Sequence, residues 1–330
     1  MTFRALVTDK DGEGVVSSAL RTLADENLPQ GNVTVDVEWA GLNYKDGLCL
    51  TGKGGLVRSY PHVAGIDFAG TVRESGDARY AQGDEVILTG WRVGEVHWGG
   101  YAERARVDAD WLVPLPARAT TRWAMVLGTA GLTAMLAVDR LEAAGVKPQG
   151  GPVLVTGAAG GVGSIVVGLL ARLGYEVAAL SGRPEHADLL KARGAAQVVE
   201  RDMFLAEPDK PLESARWAGA VDCVGGAVLG KLLRQVRYGG TVAALGNAAG
   251  IELDTNVLPF ILRGVTLAGI ESVMRPYAAR VAAWTRLAEL FDADGYESLV
   301  GEIGLADLPA AAEDILAGRV LGRRIVKIAT

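Results

Sequence analysis

Val153-Leu-Val-Thr156-Gly157-Ala-Ala-Gly160-Gly161-Val-Gly163-Ser164 decides the fold of this chain. An apolar strand runs into a cluster of glycines, and a helix reads onward from 161 to 173. A lone glycine motif is a weak signal, but strand, glycine turn and helix in this order are a specific one. Glycines let the backbone turn sharply and come close to a pyrophosphate. Such a group sits at the helix N-terminus, where free N–H groups and the helix dipole attract it. Gly157, Gly160, Gly161 and Gly163 are the candidates for that turn.

Downstream, strands and helices alternate. Strands read at 176–180, 197–200, 218–223, 241–245 and 265–269, with helices at 184–193 and 229–235. This alternation predicts a doubly wound parallel sheet. The end of its second strand selects the cofactor. Enzymes that use NAD place an Asp or Glu about 20 residues beyond the glycine turn to accept the ribose hydroxyls. Here the strand ends Ala179-Leu180-Ser181-Gly182-Arg183, with no carboxylate. A hydroxyl and a guanidinium suit a 2′-phosphate that an Asp would repel. Arg201, just after the third strand, is placed to approach the same turn. NADPH is the expected cofactor, the alternative for either arginine being a solvated surface position.

Upstream of the glycine turn the signals are β. Residues 1–7, 33–39, 65–72 and 84–88 read as strands, Pro114 and Pro116 close the region, and 121–145 reads as helix interrupted at 128–133. The tail holds a helix at 308–317 and a strand at 324–328. With 330 residues, 49% of them hydrophobic, the chain can build a sizeable core. Its 44 glycines follow no collagen period, and a net charge of −6 without basic runs argues against a nucleic-acid surface. Cys49 and Cys223 stand apart in no metal-like spacing, and no 18-residue apolar run predicts a membrane span. A cytoplasmic protein is expected, with no nucleic-acid or membrane partner.

Several segments together resemble the medium-chain dehydrogenase/reductase superfamily over essentially the whole chain. They are Gly41-Leu-Asn43-Tyr44-Lys45-Asp46, Pro61-His-Val-Ala-Gly65-Ile-Asp67-Phe-Ala-Gly70, Gly83-Asp84-Glu-Val86, Gly99-Gly100-Tyr101-Ala102-Glu103, Gly128-Thr129-Ala130-Gly131-Leu132-Thr133-Ala134, and the glycine turn. Zinc alcohol dehydrogenases of the superfamily carry Cys and His where this chain has Asn43 and Tyr44, and His where it has Ile66. Their run of four structural cysteines is also missing. The resemblance therefore implies a zinc-free branch with no metal site. Asn43-Tyr-Lys-Asp-Gly47, Thr51-Gly-Lys-Gly54, Gly90-Trp91, Pro259-Phe-Ile261-Leu-Arg263, Gly269-Ile-Glu-Ser272 and Gly322-Arg323 are similar to the acryloyl-CoA reductase group, often described as quinone oxidoreductases. Asn247-Ala-Ala-Gly250 departs from the more compact glycine-rich segment of that group.

The resemblance implies an α/β protein. A GroES-like β-rich catalytic domain (1–121, completed by 300–330) accompanies a Rossmann domain with a doubly wound parallel sheet (122–299). It implies that Tyr44, Ala159, Gly160, Gly161, Val162, Ser181, Gly182, Arg183, Arg201, Asn247, Ile261 and Ser272 line the NADPH cleft, with a weaker backbone contact from Gly318. A homodimer through the edge strand 265–270 is expected on the same ground.

Reducing an α,β-unsaturated thioester needs hydride at Cβ, a proton at Cα and support for the enolate oxygen. An activated alkene needs no metal for this, so the missing zinc ligands agree with such chemistry. Tyr44, Lys45 and Asp46 are the candidates for proton donation or positioning. Tyr44 either reacts or packs the cofactor ring, and Asp46 either reacts or caps a turn. Lys53 and Arg58 are candidates for CoA phosphates or for a solvated face, and His62, His97 and His186 read as structural. The expected function is NADPH-dependent reduction of acryloyl-CoA to propanoyl-CoA. The rivals are an NADPH quinone or enone reductase and a non-catalytic NADPH-binding protein.

Overall fold

Val153–Thr156, buried at all four positions, lies within a six-stranded sheet. Its neighbours run in the order Ala195–Glu200, Val177–Ser181, Val153–Thr156, Trp217–Asp222, Val236–Ala244 and Thr266–Gly269. Every pairing is parallel. Numbered along the chain the order is 3-2-1-4-5-6, so the topology reverses between Val153–Thr156 and Trp217–Asp222, the place where such sheets bind dinucleotides. Strands covered on both faces read as unbroken apolar runs, which is why Val-Leu-Val-Thr shows no alternation. Helix Gly161–Arg172 packs Ile165, Val166, Val167, Leu169 and Leu170 inward.

This computed structural model describes residues 1–206 and 210–328. The sheet belongs to one of two compact units, made of Gly131–Glu271 and Glu289–Tyr296; the other comprises Met1–Ala130, Ser272–Ala288 and Glu297–Thr330. That other unit is built on a seven-stranded sheet ordered Val300–Gly304, Arg323–Lys327, Val33–Leu42, Asp67–Ser75, Glu85–Thr89 and Leu112–Pro114, with Arg104–Val107 also paired to Val33–Leu42. The C-terminal strand lies antiparallel to Val33–Leu42, with Arg324 opposite Leu42 and Lys327 opposite Trp39. Val35, Val37, Phe68, Val72, Leu88, Leu112 and Val326 form part of its core.

Several expectations need correction. Gly65 and Ile66 precede the strand expected at 65–72, which runs Asp67–Ser75; Gly65 has φ +106° and makes a close backbone approach to Gly100 instead. The helix expected across 121–145 is Thr121–Ala143, broken at Gly128 (φ 52°, ψ −149°) and not over the whole of 128–133. Helices Tyr44–Thr51, Leu258–Arg263 and Tyr277–Leu290 form where the sequence pattern predicts none. Thr121–Ala143 is long and apolar enough to cross a membrane by length and composition, but 83% of its most apolar window is buried inside the protein.

Candidate active site

In the unit with the parallel sheet, the glycine turn leaves the carboxyl end of Val153–Thr156. Thr156 donates its hydroxyl proton to Asp222 Oδ1 (2.7 Å) and accepts the Cys223 amide (2.9 Å), so the first and fourth strand ends are stitched at the switch point. Asp222 is buried and also accepts the Gly225 amide at 2.8 Å. Burial raises its carboxyl above the ordinary range, while these donors and the Val224 amide oppose the rise. Gly160 caps helix Gly161–Arg172. A methyl group at Gly163 would stand 2.3 Å from the Gly157 carbonyl oxygen, so only glycine lets the helix seat on the turn. Ala159 is buried beneath, with Gly157, Gly160, Gly161 and Val162 half-buried around the turn.

At the end of the second strand, buried Ser181 accepts the Arg183 amide at 3.1 Å, a hydroxyl-closed turn. Arg201 opens helix Arg201–Ala206 directly after the third strand. Its guanidinium lies across Gly182: a methyl there would meet Nη1 at 2.7 Å and Cζ at 2.8 Å. Asp202, exposed, holds Nε and Nη2 at 2.9 Å, which leaves Nη1 toward the turn. The arrangement offers a cation and glycine backbone to an anion, while the buried Ser181 hydroxyl is turned to the Arg183 backbone and shapes the turn.

In the other unit, Tyr44 is the first residue of helix Tyr44–Thr51 and is 44% exposed. Asp46, wholly buried, accepts the Asn43 amide (2.9 Å) and the Asn43 side-chain nitrogen (3.1 Å) on Oδ2, and the Ile66 amide (2.8 Å) on Oδ1. It completes the capping box of the helix and is closed to solvent. Burial raises its carboxyl, and the nearby Asp67 raises it further. Asp67, also buried, accepts from Gly41 N (3.0 Å), Asn43 Nδ2 (3.0 Å) and Thr129 N (2.6 Å). Arg323 completes the network, giving Nη1 to Asn43 Oδ1 (3.1 Å) and Nε to the Val126 carbonyl (3.0 Å). A side chain at Gly41 or Gly128 would collide with both Asp67 and Arg323, so the break at Gly128 makes room for the pair. Lys45 pairs with the buried Glu95 at 3.0 Å.

Asn247 is exposed in the loop after Val236–Ala244, a loop joined to the fourth strand end by the Ala249 amide on the Val224 carbonyl (2.8 Å). Ile261 is exposed on helix Leu258–Arg263. The half-buried Ser272 gives its carbonyl to Arg280 at 2.9 Å. Gly318, at φ +69°, ends helix Leu308–Leu316 in a left-handed turn and donates to the Ile315 carbonyl. Lys53 pairs with Glu313 at 3.7 Å in the open, and Arg58 is exposed. His62 gives Nε2 to the Gly94 carbonyl (2.9 Å), and burial lowers its pKa.

The donor set does not suit zinc. Where the zinc enzymes place ligands, Asn43 spends its amide on Asp46, Asp67 and Arg323, and Ile66 is aliphatic. Among the described residues no three His, Cys, Asp or Glu side chains group to hold a metal. Asp67, Arg323 and the Thr156–Asp222 pair shape these sites without being candidates on sequence grounds. The signal available was an acid set among apolar neighbours, as in Ile66-Asp67-Phe68 and Val221-Asp222-Cys223.

Residues 29–117 match the alcohol dehydrogenase GroES-like domain, and residues 161–290 match the zinc-binding dehydrogenase family. The chain is 57% identical over 327 residues to acrylyl-CoA reductase AcuI of Ruegeria pomeroyi, covering 99% of each protein. It is 46% identical to the putative quinone oxidoreductase YhfP of Bacillus subtilis, again covering 99% of each. The yhdH oxidoreductase of Salmonella enterica, solved in complex with NADP, superposes with a TM-score of 0.96 at 52% identity and 100% coverage of both chains. Bacillus subtilis yhfP, solved with NAD bound, gives 0.95 at 46% identity, covering 99% of this chain and 100% of that one.

Proposed function

Because the chain belongs to the medium-chain dehydrogenase/reductase superfamily, in the group of the acrylyl-CoA reductases, we propose that it reduces the carbon–carbon double bond of acryloyl-CoA to propanoyl-CoA with NADPH. The observation that carries this reading is the 57% identity, at full length, to a protein of that activity.

The residues fit NADPH. The turn at Gly157, Gly160, Gly161 and Val162 would hold the pyrophosphate on the first turn of the helix, with Ala159 beneath. Ser181, Gly182, Arg183 and Arg201 would hold the 2′-phosphate, which Arg201 reaches because residue 182 has no side chain. When bound, NADPH supplies the hydride. The substrate gains that hydride at Cβ and a proton at Cα, and its thioester oxygen carries the enolate charge in between. Tyr44, exposed at the start of its helix, is the side chain proposed to meet the reacting substrate; Asp46 positions it through Asn43. No step passes through a metal.

The reading extends to a cytoplasmic homodimer. Thr266–Gly269 is the terminal strand of its sheet, with ladder groups open to a second copy, which supports pairing there. The name of the Bacillus relative favours quinone turnover as the second reading. NADPH oxidation by purified protein, with acryloyl-CoA or a simple quinone as acceptor, tests one against the other.

A further inference from the structure

The carbonyl of Gly160 accepts two bonds from Ser164, one from its amide (3.0 Å) and one from its hydroxyl (2.7 Å). Ser164 is wholly buried, and its Oγ also lies 2.7 Å from the Tyr296 hydroxyl. A serine has one hydroxyl proton. Here it goes to Gly160, so Tyr296 is the donor to Ser164. The bonds form a directed chain from Tyr296 through Ser164 to the carbonyl that fixes the first helical turn. That carbonyl belongs to the N-cap residue, and the amides of Gly161, Val162 and Gly163 that follow it are the first-turn N–H groups a helix N-terminus presents to an anion.

Tyr296 is itself held. It is fully buried, its ring packs at 5.2 Å from Phe291, and the Arg193 guanidinium lies 4.8 Å over its face. Arg193 also donates to the Gly295 carbonyl and closes helix Ala187–Ala192, the helix that follows the Ser181–Arg183 turn. The segment Glu289–Tyr296 is a short return of the chain to the parallel-sheet unit. It braces the helices that follow both phosphate-binding turns.

We propose that Tyr296 is a positioning residue for the dinucleotide, acting through Ser164 on the phosphate turn and so setting NADPH affinity. The inference rests on the reading of the glycine turn as an NADPH site. A tyrosine that merely filled the core would affect stability alone; this one also orients the amides that meet the ligand.

The test is NADPH binding by fluorescence titration, alongside steady-state kinetics, for Tyr296→Phe, Ser164→Ala and their combination. Removing one net hydrogen bond predicts a rise of about fivefold in Kd and KM for NADPH. The value of kcat at saturating NADPH and the KM for the acyl-CoA are expected to stay within about twofold, because neither residue touches the reacting atoms. The double variant is expected to bind no more weakly than the weaker single one, since both break the same chain. Tyr175→Phe supplies the control: it removes another buried tyrosine bond in this unit, to the Val146 carbonyl, and is expected to lower the melting temperature without changing Kd. Unchanged Kd in a folded Tyr296→Phe, or an equal rise in Tyr175→Phe, overturns the proposal. If Tyr296→Phe does not fold, Ser164→Ala decides by the same criterion. Absence of NADPH binding in the wild type would instead overturn the cofactor reading beneath it.

Discussion

Arg201 Nη1 would stand 2.7 Å from a methyl group on Gly182, so the guanidinium occupies the space that a side chain at residue 182 would take. A side chain at residue 182 therefore displaces the guanidinium. Hydrogen bonds to charged groups contribute about 1.5–3 kcal/mol, and the exposure of Arg201 puts its share at the lower end. Arg201→Ala is therefore expected to raise the KM for NADPH about tenfold and to leave that for NADH nearly unchanged. Gly182→Ala, which pushes the guanidinium aside, is expected to act in the same direction. Equal loss with both cofactors would show that Arg201 serves something other than the 2′-phosphate.

Asp46 gives a pH signature. Burial and the neighbouring Asp67 raise its carboxyl from 3.8 to about 7. The folded chain then holds a proton that the unfolded chain releases, so this group's stabilisation is complete below about pH 3.8 and is lost as pH rises through about 7. Asp46→Asn cannot titrate. Urea unfolding at pH 5 and pH 8 is expected to show the gap between wild type and variant moving in the variant's favour at pH 8, by up to about 1.4 kcal/mol per pH unit inside the window. A gap that does not change with pH contradicts this account of Asp46.

The Thr156 hydroxyl is the link between two strand ends. Thr156→Val keeps the shape but strips a donor from the buried Asp222 and an acceptor from the Cys223 amide. Loss of about 1–3 kcal/mol of stability is expected, read as a lower melting temperature, with Thr156→Ser close to wild type. Equal effects of valine and serine would place the contribution in packing and not in the hydroxyl.

Much of this architecture was legible in local sequence, and the exceptions share one cause. Val153–Thr156 and the start of Gly161–Arg172 sit where the glycine turn predicts them, because strand, turn and helix are specified by adjacent residues. Helix Tyr44–Thr51 was not legible. It contains Gly47, and what it packs against there is Ile315 and Leu316, from the far end of the chain. The Asn43–Asp67–Arg323 network is hidden for the same reason, since its members meet only after the C-terminal strand docks on Val33–Leu42. Tyr44 stood out by resemblance and Asp46 as a turn cap, whereas Asp67 and Arg323, which hold Asn43 beside them, meet only in three dimensions.

Tyr44→Phe separates catalysis from simple binding. It removes the hydroxyl of a residue 44% exposed at the start of its helix and leaves the glycine turn intact. Unchanged NADPH affinity is expected, with turnover reduced by roughly 10²-fold or more if the hydroxyl serves in proton transfer. Turnover equal to wild type would assign the ring a packing role.

The most direct test of the central claim is a steady-state comparison of acryloyl-CoA, crotonyl-CoA and a simple quinone as acceptors, each with NADPH and with NADH. The account predicts propanoyl-CoA formation with a kcat/KM that is highest for acryloyl-CoA with NADPH. NADPH oxidation by the quinone with no reduction of acryloyl-CoA would contradict it.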